Sequence, residues 1–159
     1  MSHGDRILTA AFFDRTALKI ARDLLGCRLH FGHQIHSRII TEAYFAPQDL
    51  ASHASKGRTK RTEAMFGPPG SFYGYFVYDR MLNVVSGPGG YPAAVLIRSV
   101  EGIVGPARLT KALGINGDLN GKAANKETGV WFSEGSSRTT NDPTVAKSWC
   151  GLCWAYLVS

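Results

Sequence analysis

Apolar residues at Ala17, Leu18, Ala21, Leu24 and Leu25 fall on one stripe at helical spacing. The spacing predicts a helix over residues 10–26, with Asp14 as its N-cap and Gly26 as its stop. The period then shortens: Cys27 to Phe31 and Gln34 to Tyr44 read as two strands joined tightly through Gly32-His33. Residues 46–71 carry Pro47, Gly57, Gly67, Pro68, Pro69 and Gly70 and read as loop. Phe72-Tyr-Gly-Tyr-Phe-Val-Tyr78 is strongly β-prone, and Asp79-Arg80 turns it into an antiparallel partner over Met81 to Val85. Pro92 to Val100 continues the sheet after a Gly-Pro-Gly-Gly turn at 87–90. Gly105-Pro106 opens a short helix that Gly114 closes. Residues 117–125 read as loop, Val130 to Phe132 as a short strand, and Trp154 to Val158 as the last strand. The sum is one α+β domain over residues 1–159: a mostly antiparallel curved β-sheet, flanking helices and a protruding β-hairpin.

Composition narrows the class of protein. Hydrophobic residues are 44% and charged residues 19% of 159, ordinary values for a globular chain and far from those of a disordered one. No apolar run reaches the ~20 residues that cross a bilayer, and the N-terminus lacks the basic and apolar blocks of a secretory signal. Three cysteines, Cys27, Cys150 and Cys153, are an odd set for a secreted disulfide framework. These features predict an intracellular protein, cytoplasmic or nucleoid-associated, with no membrane partner. Lys and Arg number 18 against 12 Asp and Glu, a net charge of +6 that suits a polyanion, nucleic acid being the commonest.

Three features carry candidate chemistry. Glu42 ends the apolar strand Ile39-Ile-Thr-Glu-Ala-Tyr44, where alternation puts Ile40, Glu42 and Tyr44 on one face. A carboxylate there can serve as a general base or stabilise a cation; the alternative is a strand-end Glu paired with a surface Arg. The tyrosines of 72–78 offer flat faces on which a nucleobase can stack, or are simply sheet packing. Tyr78, beside a turn, is the hardest to assign to a core. Lys56, Arg58, Lys60 and Arg61 crowd four cations into one loop and can neutralise phosphates, or are a solvated loop or a targeting signal. Cys27, His30, His33 and His36, with Cys150 and Cys153, have the residue types of a metal site. Alternation separates Cys27 from His30, and a single CxxC is a weak zinc signal.

The order of short motifs is more specific than any one of them. Thr41-Glu-Ala-Tyr44, Pro47, Asp49, Ser52-His53, Gly57-Arg-Thr59, Met65-Phe-Gly67 and Pro69-Gly70 occur in series. Tyr73-Gly-Tyr75, Tyr78, Leu82-Asn-Val-Val85, Ala94 to Arg98 and Gly105-Pro106 to Ile115 follow. From about Leu24 to Asn116 the chain resembles the alkyladenine (3-methyladenine) DNA glycosylase family. The resemblance implies hydrolysis of the N-glycosidic bond of alkylated or deaminated purines in double-stranded DNA, by a monomer that needs no metal or cofactor. It implies that Glu42 activates water for attack at the sugar C1′ and that Arg98 helps to hold that water. Tyr44, His53 and Tyr75 would contact the flipped base, Asn83 would exclude the guanine 2-amino group, and Tyr78 would fill the vacated stack. No lysine matches a nucleophile position, which implies excision without strand cleavage. The chain departs from the family at Asp79-Arg80, in a shorter connection before Gly105, and after Asn116. Those departures keep a second reading open, a catalytically weakened module that binds distorted duplex. A third is an RNA-binding or transferase accessory domain of similar fold.

Overall fold

A computed structural model of the chain describes residues 6–37, 39–45, 63–76, 80–87 and 92–135. Two short helices, α1 (Ala10–Phe13) and α2 (Ala17–Asp23), precede three strands: β1 (Arg28–Phe31), β2 (Gln34–His36) and β3 (Ile40–Phe45). A single 3-10 turn, Glu63–Phe66, leads to β4 (Phe72–Phe76) and β5 (Arg80–Val85). Then come β6 (Ala93–Val100), β7 (Ile103–Val104), α3 (Pro106–Leu113) and, after a 3-10 turn at Gly117–Leu119, β8 (Val130–Ser133). The α+β class and the antiparallel pairing agree with the sequence reading.

One expected helix is two. The chain bends at Asp14 and Arg15 because Gly87, from the end of β5, donates to both the Phe13 carbonyl (2.9 Å) and the Arg15 carbonyl (3.2 Å). The second helix is capped by the extended Thr16, and Asp14 is the C-cap of α1 rather than the N-cap of one long helix. One expected sheet is also two, because residues 34–44 do not form one strand. β2 pairs with β1 in the order β2-β1-β8, whereas β3 joins the order β3-β6-β5-β4, with β7 on β6. Between the two, the Ser37 carbonyl takes the Glu101 N–H at 2.8 Å. The hairpin of β4 and β5 forms with Tyr73 opposite Asn83 and Tyr75 opposite Met81. The tip at 77–79 and the strand expected at 154–158 lie outside the described residues.

Burial sorts the larger sheet into two faces. Phe72, Leu82, Val84, Val95 and Ile97 join the main core, which α2, α3 and Phe132 of the smaller sheet complete. Tyr73, Val85 and Ala94 form a separate cluster with Met65 on the other face. The outer edge of β4 is closed by residues 120–124: Phe72 exchanges bonds with Lys122 and Gly121 (each 2.8 Å), and Ala124 donates to Gly70 (2.8 Å). The segment read as loop is therefore an irregular edge cover, which protects a strand that would otherwise present open backbone groups.

Candidate active site

The face that carries Met65 also carries the candidate chemistry. Leu96 of β6 stands opposite Glu42 of β3 on one side and Asn83 of β5 on the other, and Asn83 stands opposite Tyr73 of β4. One row across four strands thus reads Tyr73, Asn83, Leu96, Glu42. All four are buried, with exposures of 1%, 5%, 2% and 6%. Ten residues separate Tyr73 from Asn83 and many more separate Asn83 from Glu42, so the sheet alone brings them into register.

Glu42 is neither solvated nor alone. Arg98 Nη1 donates to Glu42 Oε2, with the carboxylate side chain 8% exposed and the guanidinium side chain 46% exposed. The pairing lies beside a break in the ladder. Ile40 stands opposite Ser99 but Thr41 opposite Ile97, so Arg98 has no residue facing it. A bulge of this kind bends a strand and re-aims the extra side chain. Glu42 is paired with an arginine, as one sequence reading has it, but its carboxylate is buried in the sheet face rather than at the surface.

Asn83 is fixed by its own amide, whose Nδ2 donates to the Tyr73 and Met81 carbonyls, each at 3.3 Å. Of the other expected site residues, Tyr44 stands at the register position opposite Ala94 and Tyr75 opposite Met81; their side chains are not among those described. His53, Tyr78, Lys56, Arg58, Lys60 and Arg61 lie outside the described residues. Met65 and Leu96 had no assigned role in the sequence. Met65 gave a signal in Met65-Phe-Gly67, whereas Leu96 is one apolar residue in a run of them.

Among the described residues no group of three His, Cys, Asp or Glu side chains is placed to hold a metal ion. Cys27 is buried with Sγ toward the Asp23 carbonyl at 3.1 Å. His30 instead stacks on Trp131, ring centroids 4.7 Å apart, with Nε2 2.7 Å from Ser133 Oγ. Among the same residues no helix is long and apolar enough to cross a membrane.

Comparison with known proteins gives this arrangement a setting. A protein from Anaeromyxobacter dehalogenans strain 2CP-C is 46% identical over 121 residues, covering 68% of this chain and 58% of that protein. One from Myxococcus xanthus is 46% identical over 123 residues, covering 68% and 63%. One from Methanoculleus marisnigri is 38% identical over 137 residues, covering 72% and 71%. Each is named, provisionally, a 3-methyladenine DNA glycosylase. The chain spans about three fifths of the length of the first two relatives. The profile of the methylpurine-DNA glycosylase family matches residues 11–151, and the chain belongs to that family.

Proposed function

We propose that this protein excises alkylated or deaminated purines, of the 3-methyladenine and hypoxanthine type, from duplex DNA by water attack at C1′. The observation that carries the reading is the buried Glu42 carboxylate, gripped by Arg98 at one end of a row that contains Asn83. The carboxylate lies beside the positive charge of its guanidinium partner, and it can take a proton from a water whose hydrogen bond its second oxygen, Oε1, accepts.

A base inside the duplex is out of reach of any such group, so the nucleotide must leave the stack at a cost of a few kcal/mol. Tyr78 is the residue proposed to occupy the gap, and Tyr44, His53 and Tyr75 those proposed to hold the extruded base. Stacking on such rings favours a cationic alkylpurine. With the base held, the oxygen of the water attacks C1′ and one proton passes to Glu42. The C1′–N bond breaks, and its electron pair leaves with the base. A cationic base departs neutral; hypoxanthine must gain a proton as it leaves. Arg98 presents several N–H groups in a fixed fork, enough to hold Glu42 and the water together. The basic residues Lys56, Arg58, Lys60 and Arg61 would supply phosphate contacts.

The test is a single-turnover assay on duplexes carrying hypoxanthine, ethenoadenine or an alkylated purine, with alkali revealing abasic sites. Wild type is expected to excise at least one of them. Glu42→Gln is expected to bind the same duplex and excise none. Equal rates for the two would remove Glu42 from the chemistry. Lesion binding without excision by wild type would replace this reading with that of a module that recognises distorted duplex.

A further inference from the structure

Thr41 lies one residue before Glu42 and faces the other way. It is fully buried, and its Oγ1 donates to the Ala21 carbonyl at 2.7 Å, tying β3 to the last turn of α2. Backbone acceptors at a helix end run out of intrahelical donors. Leu25, whose N–H would reach Ala21 if the helix continued, bonds the Arg22 carbonyl at 3.2 Å instead. The threonine hydroxyl therefore satisfies a carbonyl in a residue that is itself only 1% exposed, where an unmet acceptor is costly.

The position of this tie is what gives it a consequence. Thr41 is the residue at which the register slips, leaving Arg98 unopposed and beside Glu42. A ladder that loses one pairing has lost part of what sets its register. The tie to α2 restrains the same peptide from the core side.

We propose that Thr41 is a positioning residue for the reaction: its hydrogen bond to Ala21 holds the bulge beside which Arg98 pairs with Glu42. The proposal rests on the reading of Glu42 as the water-activating base. Threonine suits the place because it is β-branched, as strands favour, and carries the donor. Valine has its shape without the hydroxyl, and serine has the hydroxyl without the methyl.

The experiment compares wild type, Thr41→Val, Thr41→Ser and Glu42→Gln in two measurements. The first is single-turnover excision at saturating enzyme, alongside affinity for the lesion duplex. The second is side-chain nitrogen NMR of the Arg98 guanidinium, which reports the ion pair whether or not the protein is active. Misplacing a reacting group by about 1 Å can cost on the order of 100-fold, so Thr41→Val is expected to lose about 10- to 100-fold in excision rate. Its affinity should stay within about twofold, and its Arg98 resonances should move toward those of Glu42→Gln. Thr41→Ser is expected to restore both. If Thr41→Val does not fold, Thr41→Ala removes the same donor without placing a new methyl against Ala21. A wild-type rate with unmoved Arg98 resonances would overturn the proposal, as would a serine variant as impaired as the valine one. Failure of the base reading shows separately, as a fully active Glu42→Gln or an inactive wild type; the Arg98 resonances then decide the Thr41 proposal alone.

Discussion

Arg98 reaches Glu42 from a position in β6 that no residue of β3 faces, and the two ends of the pair differ in environment. The carboxylate side chain is 8% exposed and the guanidinium side chain 46%. Removing the arginine leaves a buried charge without its partner. Breaking a fully buried pair costs about 3–5 kcal/mol, but water reaches nearly half of this guanidinium and screens the loss. Arg98→Ala is therefore expected to destabilise by about 1–2 kcal/mol in urea unfolding at neutral pH. In the Glu42→Gln background the same change should cost almost nothing, because the charge is gone. An equal cost in both backgrounds would show that Arg98 stabilises by packing rather than by pairing.

Asn83 sits between Tyr73 and Leu96 in the buried row, with its amide held by two carbonyls. A side chain fixed in that way is a stationary obstacle, and the proposed role is to exclude a purine 2-amino group. Asn83→Ser shortens the obstacle and keeps a polar group. The ratio of 7-methylguanine to hypoxanthine excision is expected to rise by about tenfold, the scale on which a pocket discriminates one small group. A ratio unchanged from wild type would place the selectivity elsewhere.

Gly87 allows the end of β5 to lie against the break between α1 and α2. A β-carbon built there would be 2.2 Å from Asp14 Oδ1 and 2.7 Å from Asp14 Cα. The carboxylate can swing away, but the backbone carbon cannot. Gly87→Ala is expected to cost about 1–3 kcal/mol, the range for overpacking. Thermal unfolding would read that as a fall of several degrees. An unchanged midpoint would mean that the bend between the helices adjusts freely.

That same contact explains where the sequence misleads. The stripe from Ala17 to Leu25 predicts a helix well, but nothing in residues 10–26 shows that Phe13 and Arg15 give their carbonyls to a glycine seventy positions away. Nor does any Gly or Pro lie between His36 and Ile40 to announce that the chain changes sheets. The hairpin of β4 and β5 was legible because aromatic residues and a two-sided pattern favour strands wherever they sit, and α3 because Pro106 and Gly114 mark its ends by local conformation alone. The site divides in the same way. Glu42 and Arg98 could be named from motifs, and alternation puts Arg98 on the face of Leu96, but the one-residue slip between β3 and β6 beside the pair is not encoded in the side-chain pattern. Thr41 looked like part of a motif and carried no role of its own, since its partner is a backbone carbonyl on another element.

The cluster of cations at residues 56–61 gives a prediction that depends on charge alone. If Lys56, Arg58, Lys60 and Arg61 touch phosphates, lesion-duplex affinity falls linearly on a logarithmic salt scale, with a slope of about 0.9 per contact. Replacing the four with glutamine is expected to flatten the slope by about 2–4 and to weaken binding of damaged and undamaged duplex alike. A slope equal to that of wild type would leave these four residues without a part in DNA binding.

The edge of the hairpin supplies the last test. Residues 121–124 cover β4 with backbone bonds as far as Phe72, and then the chain turns away through the Gly117–Leu119 turn. The next outward N–H toward the tip, that of Gly74, is met by a side chain: Asn120 Oδ1 accepts it at 3.0 Å. Asn120 thus extends the cover by one rung that the backbone cannot supply, at a glycine where the strand has no side chain of its own to pack. The bond is exposed, so it is worth about 1 kcal/mol, or roughly fivefold in an opening equilibrium. In Asn120→Ala the Gly74 amide is expected to exchange with deuterium about fivefold faster. The Phe72 amide, bonded to the Lys122 carbonyl, should keep its wild-type rate, and Asn120→Asp should restore Gly74 because it keeps an acceptor oxygen. Equal acceleration at Phe72 and Gly74 would mean that Asn120 holds the whole edge segment rather than one rung.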